Sequence, residues 1–121
     1  MDMSDESFRH VGRCRGLESL VLMYCRDTTD IATEHIQALP NLKKYHAGYT
    51  RITDRTLEML SRMSSLEEVS FEGCKLLTDA GVASLATLPH LREISIGNSP
   101  NVTRESISAF PTTIRVNYSP H

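Results

Sequence analysis

A short motif recurs along the chain at intervals of 24 or 25 residues. It pairs a hydroxyl residue with a charged one in the segments MSDESF, TTDIAT, ITDRTL, LTDAGV and VTRESI, whose charged positions are Asp5, Asp30, Asp54, Asp79 and Arg104. Self-similarity at such a period is typical of repeat proteins, in which each unit buries its apolar face by stacking on its neighbours. We therefore expect a stack of coils, one for each motif.

A helix is predicted after each motif. Apolar residues recur three positions apart, as at Val82, Leu85 and Leu88, with Thr33 as the exception in the equivalent sets. The hydroxyl residue occupies the N-cap position, where its oxygen can accept a hydrogen bond from a backbone amide of the first turn. The following aspartate suits the positive end of the helix dipole. Pro40 and Pro89 indicate where two of the helices end.

A strand is predicted after each helix. The alternating segments are LESLVLMYC from Leu17, LKKYHAGYT from Leu42, LEEVSFEGC from Leu66 and LREISIGNS from Leu91. Alternation of apolar and polar residues is typical of a half-buried strand. The residues that we expect to line up on adjacent parallel strands are Leu20, Tyr45, Val69 and Ile94.

The recurring strand and helix predict an α/β solenoid in one domain, residues 1–121. Its parts are an N-terminal helical half-repeat at 3–16, repeats at 17–41, 42–65, 66–90 and 91–110, and a closing strand at 111–121. The half-repeat lacks a strand of its own, so the strand from Leu17 would present unpaired backbone groups at an edge. That edge permits a homodimer or another partner.

The pattern resembles the leucine-rich repeat of the cysteine-containing subtype, as found in F-box/leucine-rich-repeat proteins. The segment LEEVSFEGCKLLTDAGVASLATLPH matches the repeat at nearly every place, and the resemblance covers residues 3 to about 110. It implies a parallel sheet on the concave face, helices on the convex face, and a shared scaffold without a shared reaction. No F-box-like segment is present, so the ubiquitin-ligase role is not transferred.

The resemblance also implies a structural role for the cysteines. The ninth position of each repeat turns inward after the strand, so a ladder is expected of Cys25, Thr50, Cys74 and Ser99. Cys25 and Cys74 would lie roughly 10 Å apart, because strands are spaced by about 4.8 Å, and this exceeds the reach of a disulfide. Cys14 is expected at a helix core position, so that all three cysteines are buried thiols.

Composition disfavours several classes of function. The net charge is −2, from 13 basic and 15 acidic residues, so no broad positive field favours nucleic acid or an anionic membrane. No signal, transit or membrane-spanning segment is recognised, which makes the cytoplasm the expected compartment; a mitochondrial location has no support in the sequence. The five histidines show no zinc-binding spacing and no phosphate-binding loop is present, so we expect neither a metal nor a cofactor.

The polar positions of the strands form the concave face. One column is Ser19, Lys44, Glu68 and Glu93; the next is Val21, His46, Ser70, Ser95 and Arg115; the third is Met23, Gly48, Glu72, Gly97 and Asn117. An apolar spot is predicted at the N-terminal end of this face from Val21, Met23 and Tyr24. An acidic stripe of Glu68, Glu72 and Glu93 lies next to Lys44, and exposed apolar residues bordered by charge are common at protein contacts. The predicted partner-binding residues are Val21, Met23, Tyr24, Lys44, His46, Tyr49, Glu68, Ser70, Glu72, Glu93 and Ser95.

These features favour a non-catalytic protein-interaction module or adaptor that binds a protein through the concave face. The alternative is a small accessory subunit that docks on a larger complex through its N-terminal end, similar to mitochondrial coupling factor B. A remote alternative is a thiol enzyme, whose candidate residues are Cys74, His46 and Glu72.

Overall fold

Five parallel strands lie side by side in chain order. In the computed structural model, which describes residues 8–23 and 26–119, they are β1 Ser19–Met23, β2 Lys44–Gly48, β3 Glu68–Glu72, β4 Glu93–Gly97 and β5 Arg115–Ser119. The strand order never reverses, so the connections all cross the sheet with the same hand and on the same side. The predicted α/β architecture, a parallel sheet that alternates with helices in a solenoid-like stack, is confirmed.

The register of the sheet places the predicted apolar residues in one row. Leu20 pairs with Tyr45, Tyr45 with Val69, and Val69 with Ile94. All four are buried, and the ring of Tyr45 packs against Phe71 with the centroids 6.0 Å apart. The core therefore lies between the sheet and the helices.

Short helices connect the strands. They are α1 Phe8–Val11, α2 Asp30–Ile36, α3 Asp54–Leu60 and α4 Asp79–Ser84, with 3-10 helices at Leu85–Thr87 and Arg104–Ala109. The hydroxyls of Thr29, Thr53 and Thr103 accept from the backbone amides two residues later, as predicted for N-caps. Thr78 stands at the same position but its hydroxyl makes no cap hydrogen bond.

The aspartates that follow the N-caps bind the next coil. Asp30 accepts hydrogen bonds from the backbone amide of Thr53 at 2.8 Å and from its hydroxyl at 2.6 Å. The same two bonds join the pairs Asp54–Thr78 and Asp79–Thr103. We call this arrangement the Asp–Thr clamp. These carboxylates therefore do more than complement a helix dipole, since each one holds two successive coils together.

Asp30 carries one further hydrogen bond. The hydroxyl of Thr56 donates to its Oδ1 at 2.6 Å and also lies 2.8 Å from the hydroxyl of the buried Thr33. Burial acts to raise the pKa of Asp30, but the hydrogen bonds from Thr53 and Thr56 outweigh it, so that the pKa lies below its ordinary value. Thr33, the apparent exception in the helical pattern, thus belongs to a buried polar network.

The prediction that Cys14 is buried is wrong. Helix α1 ends at Val11, so Cys14 falls in the turn that follows, and its thiol is exposed. The Sγ atom lies 3.6 Å from the carbonyl oxygen of His10, one turn earlier in the chain.

The predicted alignment of the last strand is also wrong. Arg115 pairs with Glu93, and Asn117 pairs with Ser95. The columns above instead place Arg115 beside Ser95 and Asn117 beside Gly97, two positions further along β4. The last coil is shorter because its helix is a tight 3-10 helix, followed by a turn in which the amide of Ile114 bonds the carbonyl of Pro111.

Among the described residues, none of the helices combines the length and the apolar character that crossing a membrane requires.

The first prediction concerns Gly81, in the first turn of α4. A Cβ at this position would lie 2.2 Å from Oδ1 of Asp54, inside the Asp–Thr clamp. Glycine to alanine within a helix is ordinarily stabilising, but we expect Gly81→Ala to lower the free energy of unfolding by about 1–3 kcal/mol, because the carboxylate must shift. Urea denaturation measures this change. Gly16→Ala is the control, since nothing lies within 4 Å of its added Cβ; equal effects of the two substitutions would contradict the clamp.

The second prediction concerns pH. The lowered pKa of Asp30 means that its contribution to stability is fully present above the pKa of the unfolded chain and is lost as the pH falls through the folded value. Asp30→Asn should therefore lower the melting temperature at pH 7, and this deficit should narrow toward pH 3. Circular dichroism melts across this range measure the difference. Asp27→Asn, at an exposed aspartate outside the clamp, is the control and should lower the melting temperature at pH 7 less than Asp30→Asn does; a deficit for Asp30→Asn that stays constant across this range would argue against the clamp.

Candidate functional site

The helix-free side of the sheet, which we call the open face, is formed by the polar positions of the strands. Burial alternates along β3 and β4, so that Glu68, Ser70, Glu72, Glu93 and Ser95 are all half-exposed. The open face includes, in addition, the side chains of Ser19, Val21, Lys44, His46, Arg115 and Asn117. These residues form one continuous surface across all five strands.

Among the described side chains of the open face, Val21 is the exposed apolar one. Its side chain is 57% exposed, although the neighbouring inward positions of β1, Leu20 and Leu22, are buried. The sequence assigns Met23 and Tyr24 to the same apolar spot. The side chain of Met23 and the whole of Tyr24 lie outside the described residues.

The carboxylates of the predicted acidic stripe each have a partner. Glu68 lies 2.6 Å from Nε2 of His46, Glu93 lies 3.8 Å from Arg115, and Glu72 accepts from the side-chain amide of Asn98 at 3.3 Å. Lys44 forms no ion pair with any described residue. Each carboxylate of the stripe is therefore already in contact with a basic or amide side chain. Because these pairs are partly exposed, breaking one of them costs little free energy.

Cys74 lies in the core at the expected position of the ladder. Its thiol is buried and lies 3.8 Å from the hydroxyl of Thr50, 3.8 Å from the carbonyl of Ala47 and 3.6 Å from that of Glu72. Ser99 is buried at the equivalent place and donates to the carbonyl of Gly97. Cys25, the first member of the predicted ladder, lies outside the described residues.

The contacts of Cys74 are not those of an activated nucleophile. Burial raises the pKa of its thiol and outweighs the hydrogen bonds that favour the thiolate, whereas a reactive cysteine needs a lowered pKa and access to solvent. The carboxylate next to His46 belongs to Glu68, and no described contact joins His46 to Cys74. The structure thus does not bring together the three candidate residues of a thiol enzyme.

A second surface lies at the carboxyl ends of the strands and was not found from the sequence. We call it the loop-edge groove. It has a volume of about 490 Å³ and is lined by Arg26, Tyr49, Thr50, Arg51, Gly73, Lys75 and Leu76. The sequence does contain an indication of this groove, because a basic residue directly follows each of the first three ladder positions. These residues lie after the strands, however, where the alternation of inward and outward side chains no longer applies.

Local backbone geometry shapes this groove. Tyr49 and Gly73 follow β2 and β3 directly, and both have a positive φ, of 57° and 63°. A Cβ on Gly73 would lie 2.4 Å from a ring atom of Tyr49, so the tyrosine lies closely over the glycine backbone. Only glycine, which has no Cβ, allows the tyrosine ring to lie this close to the backbone. In this position the ring of Tyr49 is half-buried along the groove.

The N-terminal end of the described structure consists of α1 and β1. Strand β1 pairs with β2, and residues 3–7 of the predicted half-repeat lie outside the described residues. Docking or homodimer formation through this end stays a prediction. No cluster of three or more metal-ligating side chains occurs within residues 8–23 and 26–119.

The third prediction concerns the two described thiols. Cys14 is exposed and Cys74 is buried with a raised pKa, so iodoacetamide at neutral pH should label Cys14 at least about tenfold faster, because only an accessible thiolate reacts. Peptide mass spectrometry over a time course measures both rates. Labelling in 6 M urea is the control, in which the rates should converge. Equally fast labelling of Cys74 in the folded protein would contradict its place in the core.

Comparisons with known proteins give a limited result. No family model matches the chain. The chain is similar to a Caenorhabditis elegans protein named "Putative RNA-binding protein EEED8.10", with 28% identity over 98 residues. The matched region covers 78% of this chain but only 13% of that protein, so the similarity concerns a small part of a much longer polypeptide.

Proposed function

We propose that the chain is a leucine-rich-repeat solenoid that acts as a non-catalytic binding module and takes a protein partner on its open face. The observation that carries this proposal is the exposed Val21, which lies at one end of a face whose other described side chains are polar and exposed or half-exposed. An apolar residue bordered by charged and hydroxyl groups is common at protein contacts. The sheet backbone beneath holds these side chains at fixed spacing.

The leucine-rich-repeat assignment is supported by the repeated β-strand and helix and by the inward ninth position. Thr50, Cys74 and Ser99 occupy that position in three successive coils and are all buried. The Asp–Thr clamp ties the same coils together on the helix side. A scaffold of this kind places variable residues on a constant frame, which suits recognition more than a reaction.

The charges of the open face favour a partner of mixed polarity. Glu68, Glu72 and Glu93 are paired within the face, while Lys44 forms no ion pair with a described residue. A partner that offers carboxylates to Lys44 and an apolar group to Val21 would match both features. The paired carboxylates contribute selectivity, because a poorly matched partner would have to break these pairs without replacing them.

RNA binding is a second candidate function, favoured by the name of the similar Caenorhabditis elegans protein. That protein is much longer than this chain, and its name describes the whole polypeptide. This candidate requires a surface other than the open face, where acidic side chains predominate and would repel phosphate groups.

The fourth prediction tests protein binding by the open face. Val21→Glu should lower the amount of captured partner at least about tenfold, because it places a charge in the only exposed apolar position described on this face. The immobilised chain and its variants are incubated with a cell lysate, and the retained proteins are quantified by mass spectrometry. Ile31→Glu is the matched control, since Ile31 is 52% exposed on the helix side against 57% for Val21.

The control separates three outcomes. Loss of the same retained protein with Val21→Glu alone supports the open face. Loss with Ile31→Glu alone would transfer the contact to the helix side, and retention by both variants would favour docking through the N-terminal end; either result contradicts the proposal.

A further inference from the structure

We infer that the loop-edge groove binds a single-stranded nucleic acid through its phosphate backbone. This inference gives the second candidate function a location, and it is independent of protein binding by the open face. It rests on the arrangement of the cations in the groove, on an aromatic ring beside them, and on the hydrogen bonding of the backbone beneath.

The cations of the groove form a regular row. Arg26, Arg51 and Lys75 each stand one position after the ladder residue of successive coils, and all three line the groove or its rim. Coils in a parallel sheet are spaced by about 4.8 Å, so the row extends over roughly 10 Å. A repeating positive charge matches the repeating negative charge of a phosphodiester chain.

These three cations are exposed and form no ion pair with any described residue. The opposite end of the strands differs, because Lys43 lies 3.4 Å from Glu18 and Arg92 lies 3.9 Å from Glu67. Two of the basic residues at that end are therefore already compensated by carboxylates, whereas Lys44 beside them forms no ion pair with a described residue. The loop-edge groove thus brings together three cations that have no ion pair with a described residue, so a phosphate group would not have to displace a described carboxylate there.

The net charge of the chain does not exclude this site. The value of −2 argues against a broad positive field, but charges further apart than about 8–10 Å are largely screened at physiological ionic strength. A phosphate in the groove therefore responds mainly to the three nearby cations. Arg55 and Arg62 are basic too, but each is paired with a glutamate on the helix side.

Tyr49 and Leu76 favour a nucleic acid over an acidic peptide. Tyr49 lines the groove together with the cations, and so does Leu76, which is 54% exposed. Flat bases can stack on an aromatic ring such as that of Tyr49 whatever their sequence. An extended peptide would instead need free backbone groups to pair with. The amides of Tyr49 and Gly73 already donate to the carbonyls of Glu72 and Gly97.

The test measures binding of a fluorescein-labelled 12-nucleotide oligouridylate to the 121-residue chain by fluorescence anisotropy. Three phosphate contacts predict a slope of about −2 in log K against log salt concentration, which amounts to a roughly 20-fold loss of affinity between 50 and 200 mM salt. An oligodeoxyuridylate of the same length should bind within about fivefold, since phosphates and base faces are shared by RNA and DNA.

Two variants with the same change in charge locate the site. Arg26→Gln/Arg51→Gln/Lys75→Gln should lower the affinity for the oligouridylate at least about tenfold and remove most of the salt dependence. Lys43→Gln/Arg62→Gln/Arg92→Gln removes the same number and types of cation outside the groove, each of them paired with a glutamate, and should change the affinity less than about threefold. Circular dichroism melts establish that both variants are folded.

Several results would overturn the inference. These are the absence of binding at 50 mM salt, an equal loss of affinity in both triple variants, and displacement of the RNA by polyglutamate at the same concentration of negative charge. The last result would assign the groove to acidic peptides. None of the substitutions alters the open face around Val21, so failure here is distinguishable from failure of protein binding there.

Discussion

The Asp–Thr clamp is the interaction on which the relative position of the coils depends. In a solenoid each coil contacts only its neighbours, so a small error at one interface would propagate along the stack. Backbone hydrogen bonds hold the coils together on the sheet side, and the carboxylates of Asp30, Asp54 and Asp79 do so at the starts of the helices. Wherever the clamp is described, successive coils are thus hydrogen-bonded to each other on both sides.

The clamp also explains why the helices can be so short. Helices α2, α3 and α4 contain seven, seven and six residues, well below the length at which an isolated helix is stable in water. The threonine at each start can both cap its own helix and donate to the carboxylate of the preceding coil, as Thr53 does. Thr78 only donates. Contact between coils therefore compensates for weak local stability.

Much of the fold could be predicted because it follows from the periodicity of apolar residues in the sequence. The two periods of the sequence, two within strands and 24 or 25 between coils, were sufficient to predict which of Leu20, Tyr45, Val69 and Ile94 would be neighbours. The clamp could not be found in this way. A Thr-Asp pair has a sufficient local explanation as an N-cap with a favourable charge, and nothing local indicates that the carboxylate extends to the next coil.

The two wrong predictions, the burial of Cys14 and the register of β5, concern segments where the regular repeat of the sequence ends. Cys14 follows a helix that stops at Val11, so the spacing of three that places it in the core no longer applies. Arg115 and Asn117 follow a 3-10 helix and a turn, which together take fewer residues than the other connections. In both places the pattern of the central coils was extended into a segment with different geometry.

The alternation of side chains along the strands could predict the open face but not the loop-edge groove. The open face alternates with the core, so its residues follow from the same period that places Val69 or Ile94 inside. The loop-edge groove depends on residues beyond the strands, and on a tyrosine that lies over Gly73 only because both adopt a positive φ. Its charge was also hidden by the total, since the cations of the groove are offset in the net charge of −2 by carboxylates elsewhere in the chain. A solenoid separates the two ends of the strands by the length of a strand, so one frame can carry ion pairs at one end and a groove lined by cations at the other.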